Sequence, residues 1–584
     1  MPKKFRQFIT NSSLILLITL AFSCANIVAP SGGPKDITPP KVVKTEPVNG
    51  SANFNSNKIR ITFNEYVVLE DQANQLVISP PTKEEAEFNV VGKSIIIDLP
   101  KELNDSITYT IYFGQSIKDL NEGNSLNDFE YAFSKSSSLD SMMLQGNVYD
   151  ALTLEPLGGI LVMLYNNEED STPVKFKPVY ITKTNTSGKF LLKNLKNKKY
   201  KIFALKDMNS DMLFNQPNES IAFADSLLTP QFISTKTDTT LVKPDTSVNK
   251  LDSLGLQEVM RSTDLFMFVQ PDTNQKLLKV RADKYGQFRL YFKYPVKDLK
   301  IIVQNKKLPE NWRTDDYSHR RDTLTCWLTD PDLDTLKCIF IDNGKVIDSA
   351  EIALKQKPLS VKPSRQTQGK GFADEDISKL GITVNISPSV MLPYFLPVKI
   401  NFSRPIATSD FTKISLSEQA DSNFIEFKPQ YFFNDTEVKR SLSLKHEWLP
   451  AKKYKLQILP GAFTDIYGLT NDSLSIIFSA NSPENYGRLL FTVKNGEPGK
   501  SYILQLLKED KTFIEQQPAS PGMQVIFENL PPSNYHIRIV TDLNKNGKWD
   551  EGDYFLKRQP EPVKNFLQLI NIRANWDTEY EFIM

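Results

Sequence analysis

Asn194–Asp211 reads NLKNKKYKIFALKDMNSD, and Asn529–Asn546 reads NLPPSNYHIRIVTDLNKN. Laid over one another at a constant shift of 335 positions, without a gap, they match at Leu195/Leu530, Tyr200/Tyr535, Ile202/Ile537, Asp207/Asp542 and Asn209/Asn544. In each, apolar residues recur at every second position and then give way to Asp and Asn. Period two is the signature of a strand with one buried face, and the Asp/Asn run is a turn. A strand-plus-turn unit written twice in one chain predicts a duplicated β module.

A second duplication lies upstream of each copy. Ile59, Ile61 and Phe63 in KIRITFN correspond to Val398, Ile400 and Phe402 in PVKINFS. Tyr109, Ile111 and Phe113 correspond to Tyr454, Leu456 and Ile458, Asp119 with Gly123-Asn124 to Asp465 with Gly468, and Phe133-Ser134 to Phe478-Ser479. The order is A1-B1, a middle segment, A2-B2. The fold expected is all-β, a tandem array of about five small β-sandwiches: A1 at 37–136, B1 at 142–229, a middle domain at 263–356, A2 at 379–480 and B2 at 486–584. Residues 230–262, rich in Thr, Ser, Asp and Lys, and 357–378 read as linkers. Strands of the middle domain are expected at DLFMFVQ, QFRLYFKY and KCIFID.

Composition agrees. Among 584 residues the 36 Phe, 21 Tyr and 36 Pro against 24 Gly favour short strands and turns. With 70 Lys and Arg against 69 Asp and Glu, the formal charge is +1, which offers nucleic acid no electrostatic footprint. His319, His446 and His536 are scattered, so no His-rich metal site is expected. G-x-S-x-G, P-loop, H-E-x-x-H and C-x-x-C patterns are absent from the sequence, and the expectation is no enzyme and no catalytic residue.

Lys3, Lys4 and Arg6 precede the apolar run Leu14–Phe22, which ends at Ser23-Cys24. The run suits a secretory signal and is too short to span a bilayer. It resembles a bacterial lipoprotein signal over residues 1–23, with Cys24 as the lipidated first residue and 24–36 as a tether. Two or three acyl chains would anchor the protein at about 0.8 kcal/mol per buried CH₂. Cys326 and Cys338 flank the turn-like DPDLD. A hairpin centred near Asp332 would place them opposite one another, which leaves a cross-strand disulfide and two free thiols both open.

Taken together, these motifs resemble known families. The A copies look like bacterial Ig-like domains of the surface-layer type. The B copies resemble carboxypeptidase-regulatory or collagen-adhesin B-type sandwiches, carried by Gly146, Val148, Asp150, Pro156-Leu157, Gly188-Lys-Phe190 and Tyr200. The leader with PSGGPKDITPPKV is similar to lipoproteins of Bacteroidota outer membranes. Such motifs report turns and cores, so they imply fold more than function.

One constellation suggests ligand chemistry. DLNKNGKWDEGD, residues 542–553, puts side-chain oxygens of Asp542, Asn544, Asn546, Asp550 and Asp553 at places 1, 3, 5, 9 and 12 of a twelve-residue loop. Gly547 takes the sixth place, and Lys548 offers a backbone carbonyl. That is the spacing that wraps hard oxygens around Ca²⁺, here flanked by strands, with Asp rather than Glu in the last place. A Kd on the order of 10⁻⁴–10⁻³ M is the expectation for such a module. The competing reading is a turn closed by its own side chains. Asp207, Asn209 and Asp211 form a weaker candidate, with Met212 in the glycine place, and Trp549 aligns with Phe214 as an aromatic wedge.

The functional expectation is a lipid-anchored interaction or spacer module at the outer membrane, partnered by another envelope protein. The alternative is an outward-facing carbohydrate-binding or adhesion module. The sequence leaves the face of the membrane undecided; the absence of an acidic run after Cys24 leans toward the periplasmic one.

Overall fold

A computed structural model of the chain describes residues 36–232, 261–356 and 378–584, apart from residues 168, 170, 272, 273 and 451. Cys24, its leader and most of both expected linkers lie outside the described residues. The described α-helices are two of four residues each, Gln72–Gln75 and Thr172–Lys175; the remainder is strands, turns and two short 3-10 helices, Phe411–Lys413 and Pro483–Asn485. The chain forms two bodies. Of the described residues, those up to Gln270 with Glu551–Pro560 make one, and those from Pro271 to Asp550 with Glu561–Met584 make the other.

In the first body, A1 packs a four-stranded sheet (Val42–Glu46, Lys58–Phe63, Ser94–Asp98, Glu87–Val91) against a three-stranded one (Val77–Ser79, Thr108–Tyr112, Glu130–Ser134). Ile59, Ile61, Phe63, Ile111, Phe113 and Phe133 are buried between them. These are the residues that the two-residue period assigns to one face. The turn after Ile117–Asp119 hangs on the buried carboxylate of Asp119. Burial would raise the Asp119 carboxyl, but backbone N–H groups of Glu122, Asn124 and Gly123 donate to it and hold it at about 2.

B1 is one curled seven-stranded sheet, in the order Tyr180–Lys183, Leu161–Tyr165, Lys201–Leu205, Ser220–Phe223, Ser262–Val269, Met142–Asp150, Lys189–Leu195. Here two expectations need correction. The segment DLFMFVQ does not open the middle domain, and B1 does not end at residue 229. Ser262–Val269 runs parallel to Met142–Asp150, from Gln145↔Ser262 to Asp150↔Met267, and antiparallel to Ser220–Phe223. Gln231 also bridges back to Met143. The last strand of B2, Asp577–Ile583, runs parallel to Gly487–Lys494 in the same way. In B1 the residues read as a linker are therefore an insertion ahead of the closing strand. The glycines explain the close approach: a Cβ on Gly146 would lie 1.9 Å from the Thr263 carbonyl oxygen, and one on Gly487 would lie 2.3 Å from that of Arg573.

This topology makes a prediction. Limited proteolysis that cuts only within 233–260 leaves two fragments that co-elute under native conditions and separate in urea, because Ser262–Val269 is hydrogen-bonded between two strands of the N-terminal fragment. Native separation of the fragments would show that the strand is not part of B1.

A second element was not expected. The arm Glu551–Pro560 lies on the outer face of the B1 sheet. Tyr554, 1% exposed, inserts among Phe203, Phe214 and Phe223, with ring centroids 5.5–6.2 Å away. Gln559 Nε2 donates to the Phe223 carbonyl at 3.0 Å and to Asp225 at 2.7 Å, and Gln270 Nε2 donates to Asp553 at 2.9 Å.

The second body holds the middle, A2 and B2 sandwiches. The middle domain stacks Leu277–Lys284, Gln287–Phe292, Thr323–Leu328 and Arg313–Tyr317 against Leu299–Val303, Thr335–Asp342 and Lys345–Ala353. Cys326 and Cys338 thus sit on opposite sheets rather than in one hairpin. Cys326 is in register with Phe288 and Asp315, and Cys338 with Val303 and Ala350. Of the two readings left open, a disulfide and two free thiols, the structure has two free thiols in the core. Burial pushes the Cys338 thiol up to about 11 and Cys326 well above the ordinary range.

A2 repeats A1. Its core includes Val398, Ile400, Phe402, Tyr454, Leu456 and Ile458, and Asp465 at the start of its turn is buried. That turn carries Tyr467, whose hydroxyl lies 2.8 and 2.9 Å from the carbonyl oxygens of Gly286 and Leu328 in the middle domain. Arg440 of A2 stacks on Trp327 and donates to Asp316 at 2.9 Å. The two domains are therefore joined directly.

Candidate cation-binding loops

Both Asp/Asn-rich loops follow the central strand of a B sandwich, Lys201–Leu205 in one and Ser533–Asp542 in the other. Their backbones match position for position. Ser210 and Lys545 have φ of 61° and 60°, and Met212 and Gly547 have φ of 63° and 77°. The sixth place thus requires the left-handed conformation, which glycine adopts freely and Met212 adopts at a cost.

The first Asp closes each loop. Asp542 accepts from the N–H groups of Asn546 (3.1 Å) and Gly547 (3.0 Å), and Asp207 from those of Ser210 (2.7 Å) and Met212 (2.8 Å). Lys548 N–H donates to Asn546 Oδ1 at 2.9 Å, as Leu213 N–H does to Asp211 Oδ1 at 2.7 Å. Opposite the turn, Asp550 accepts from the amides of Asn544 (2.6 Å) and Asn546 (2.5 Å), while Asp211 accepts from those of Asn209 (2.9 Å) and Asn215 (2.5 Å). The acid and the amide have exchanged places between the copies.

Each loop contains a further carboxylate that the twelve-residue spacing missed. Glu561, 5% exposed, accepts from the N–H groups of Leu543 (2.7 Å) and Asp550 (3.1 Å). Glu219, 0% exposed, accepts from those of Met208 (3.3 Å) and Asn215 (2.9 Å). Burial raises the Glu561 carboxyl, and Asp550 and Asp542 repel its charge, against the two N–H bonds. Asp553, by contrast, belongs to the arm with Gln270 and not to the loop. The sets are therefore Asp542, Asp550 and Glu561 with Asn544 and Asn546, and Asp207, Asp211 and Glu219 with Asn209 and Asn215. Three carboxylates and two amides stand in each, so the first loop is no poorer than the second. Nonetheless, among the described residues no three His, Cys, Asp or Glu side chains converge at metal-ligand spacing. Several of the carboxylate oxygens are occupied by the loops' own N–H groups.

The aromatic pair has different partners in the two copies. Trp549 Nε1 donates to the Glu561 carbonyl at 3.1 Å, and Phe214 is buried against Tyr554. The histidines stay apart. His446 stacks on Phe427 with centroids 4.0 Å apart, and burial lowers its pKa; His319 is exposed.

Residues 36–135 match the bacterial Ig-like domain family. No curated protein is matched by the sequence. Among solved structures, the chain is similar to the major pilin subunit BcpA of Bacillus cereus at 8% identity, over 76% of this chain and 99% of that one, with a TM-score of 0.14. It is similar to the N-terminal part of the bacterial S-layer protein SbsC at 15% identity, over 30% and 42%, with a TM-score of 0.13. For the Bacillus anthracis TIE protein the identity is 11%, over 95% and 75%, with a TM-score of 0.12. At these scores the likenesses support no argument about function. What stands is an almost wholly β chain whose first sandwich is a bacterial Ig-like domain.

Proposed function

We propose that this is a non-catalytic, lipid-anchored envelope protein that binds another envelope protein at the outer membrane. The observation that carries this is a leader ending at Ser23-Cys24 ahead of tandem β-sandwiches, the first a bacterial Ig-like domain. Small sandwiches present rigid surfaces and loops, the usual scaffold for recognition. The test is purification of the intact protein from detergent-solubilised outer membrane, followed by mass spectrometry. An outer-membrane protein should co-purify in a fixed ratio. Cys24→Ser should move the protein to the soluble fraction; continued detergent dependence would refute the anchor.

A second reading, carbohydrate binding, is favoured by Trp576, 63% exposed beside Tyr486 on B2. Retention on polysaccharide that is lost in Trp576→Ala would establish it.

Calcium as the ligand of the loops belongs to the same proposal. Oxygen sets of this kind suit a hard cation at extracellular concentrations. Calorimetry with Ca²⁺ should give heat that falls in Asp542→Ala/Asp550→Ala, and the remaining heat should disappear when Asp207→Ala is added. Identical traces for parent and variants would leave both loops as self-closed turns.

A further inference from the structure

Beside the B2 sandwich, two sheet edges and one residue of A2 enclose an open groove of about 970 Å³. Phe513–Ala519 is the edge of the five-stranded sheet, and Gln524–Leu530 is the edge of the three-stranded one. The floor is apolar: Ile514, Ile526 and, from A2, Phe395 are 36%, 38% and 43% exposed. Large apolar side chains gathered in one groove are a better sign of a partner than the same residues scattered.

The rim is mainly acidic. Glu509, Asp510, Glu515 and Glu528 line the groove, with Lys508 as the single cation, a formal −3 on a chain that is otherwise near neutral. None of the four carboxylates forms an ion pair among the described residues. Partial burial raises the Glu515 carboxyl, as expected of an acid next to an apolar floor. Past Glu528 and Asn529 a second groove of about 710 Å³ shares those two residues and continues toward Tyr486 and Trp576. The two make a track rather than a closed pocket.

We propose that this track is a docking site for an extended protein segment in which basic and apolar side chains alternate, laid along the edge strands. The inference rests on the interaction reading above and names its surface. An edge strand can pair with an incoming backbone, and the alternation would put one set of side chains on the floor and the other against the acidic rim. A neutral polysaccharide would gain nothing from four carboxylates, and an acidic one would be repelled.

The test uses the soluble full chain carrying Cys24→Ser and a fluorescent decapeptide of alternating Leu and Lys, read by anisotropy. Binding should weaken at least tenfold in Glu515→Lys/Glu528→Lys and several-fold between 50 and about 300 mM salt, as screening requires. A peptide of alternating Leu and Glu should not bind. Circular dichroism and the melting curve should match the parent, because the changed residues lie at the surface. Equal affinity in the charge-reversed variant, equal binding of the acidic peptide, or retention on neutral polysaccharide with no peptide binding would each overturn the proposal. If the variant keeps its co-purifying membrane protein, the groove assignment fails and the interaction reading stands. If the peptide binds in the groove but no envelope protein co-purifies, the reverse holds.

Discussion

Arg404→Met lowers the stability of the A2 sandwich by about 3–5 kcal/mol, read as a shift of its urea transition. Arg404 and Asp465 are 2% and 1% exposed, and Arg404 Nη1 lies 3.3 Å from Asp465 Oδ2. Removing the cation leaves a carboxylate in the interior with only part of its charge answered, by the N–H groups of Tyr467 and Leu469. The cost is that of an unpaired buried ion, not of one lost contact. Adding Asp465→Asn should recover part of the loss, because Asn keeps the acceptor for those N–H groups and carries no charge. A1 provides the natural comparison. There Glu65 stands where A2 has Arg404, and Asp119 is satisfied by backbone N–H groups and the Asn124 side chain, with no cation beside it among the described residues. If Arg404→Met unfolds no earlier than the parent, the pair contributes nothing. The same variant should loosen Tyr467, which reaches the middle domain from this turn.

Tyr554→Ala is expected to cost a similar amount, about 3–5 kcal/mol, in the first body. The ring is buried in an aromatic socket, and Ala would leave a cavity where rings now meet edge to face. Tyr554→Phe should retain most of the stability, since the packing is the larger part. Hydrogen exchange distinguishes local from global effects: strands Lys201–Leu205 and Ser220–Phe223 should lose protection first as the arm lifts. Unchanged protection there would mean that the arm is only apposed. Gly552 belongs to the same fit, since a Cβ on it would come 2.6 Å from the Phe268 ring.

How much of this was readable in the sequence depended on the kind of information. Alternation tells which face of a strand is buried, and Ile59, Ile61, Phe63 and their counterparts in A2 are all in the core. Alternation does not tell which strand lies alongside. Leu265 and Met267 have the period of a core strand, but their partner, Met142–Asp150, lies more than a hundred residues upstream, so proximity in sequence suggested the wrong domain. A signal was available: B2 ends in DTEYEFI, and B1 as delimited had no equivalent. The loops follow the same logic. Asp542, Asn544, Asn546 and Asp550 were visible because they are close in sequence. Glu219 and Glu561 were not, because they stand four and eleven residues beyond Asn215 and Asp550. The extra length is the arm, whose role depends on a face of B1 that no local pattern describes. For the two cysteines, Asp332 suggested a hairpin where the chain instead crosses between sheets.

The position of the arm in the sequence has a consequence for how the protein is made. A chain synthesised from its N-terminus delivers A1 and most of B1 early. The B1 sheet gains its fifth strand in spatial order only when Val269 arrives, and its outer aromatic face stays uncovered until Pro560, twenty-four residues from the end. Throughout that interval Phe203, Phe223 and Phe268 are open to whatever else is emerging, including another nascent copy. The part of the molecule that is started first is finished almost last, so a truncated or stalled product would be sticky at that face.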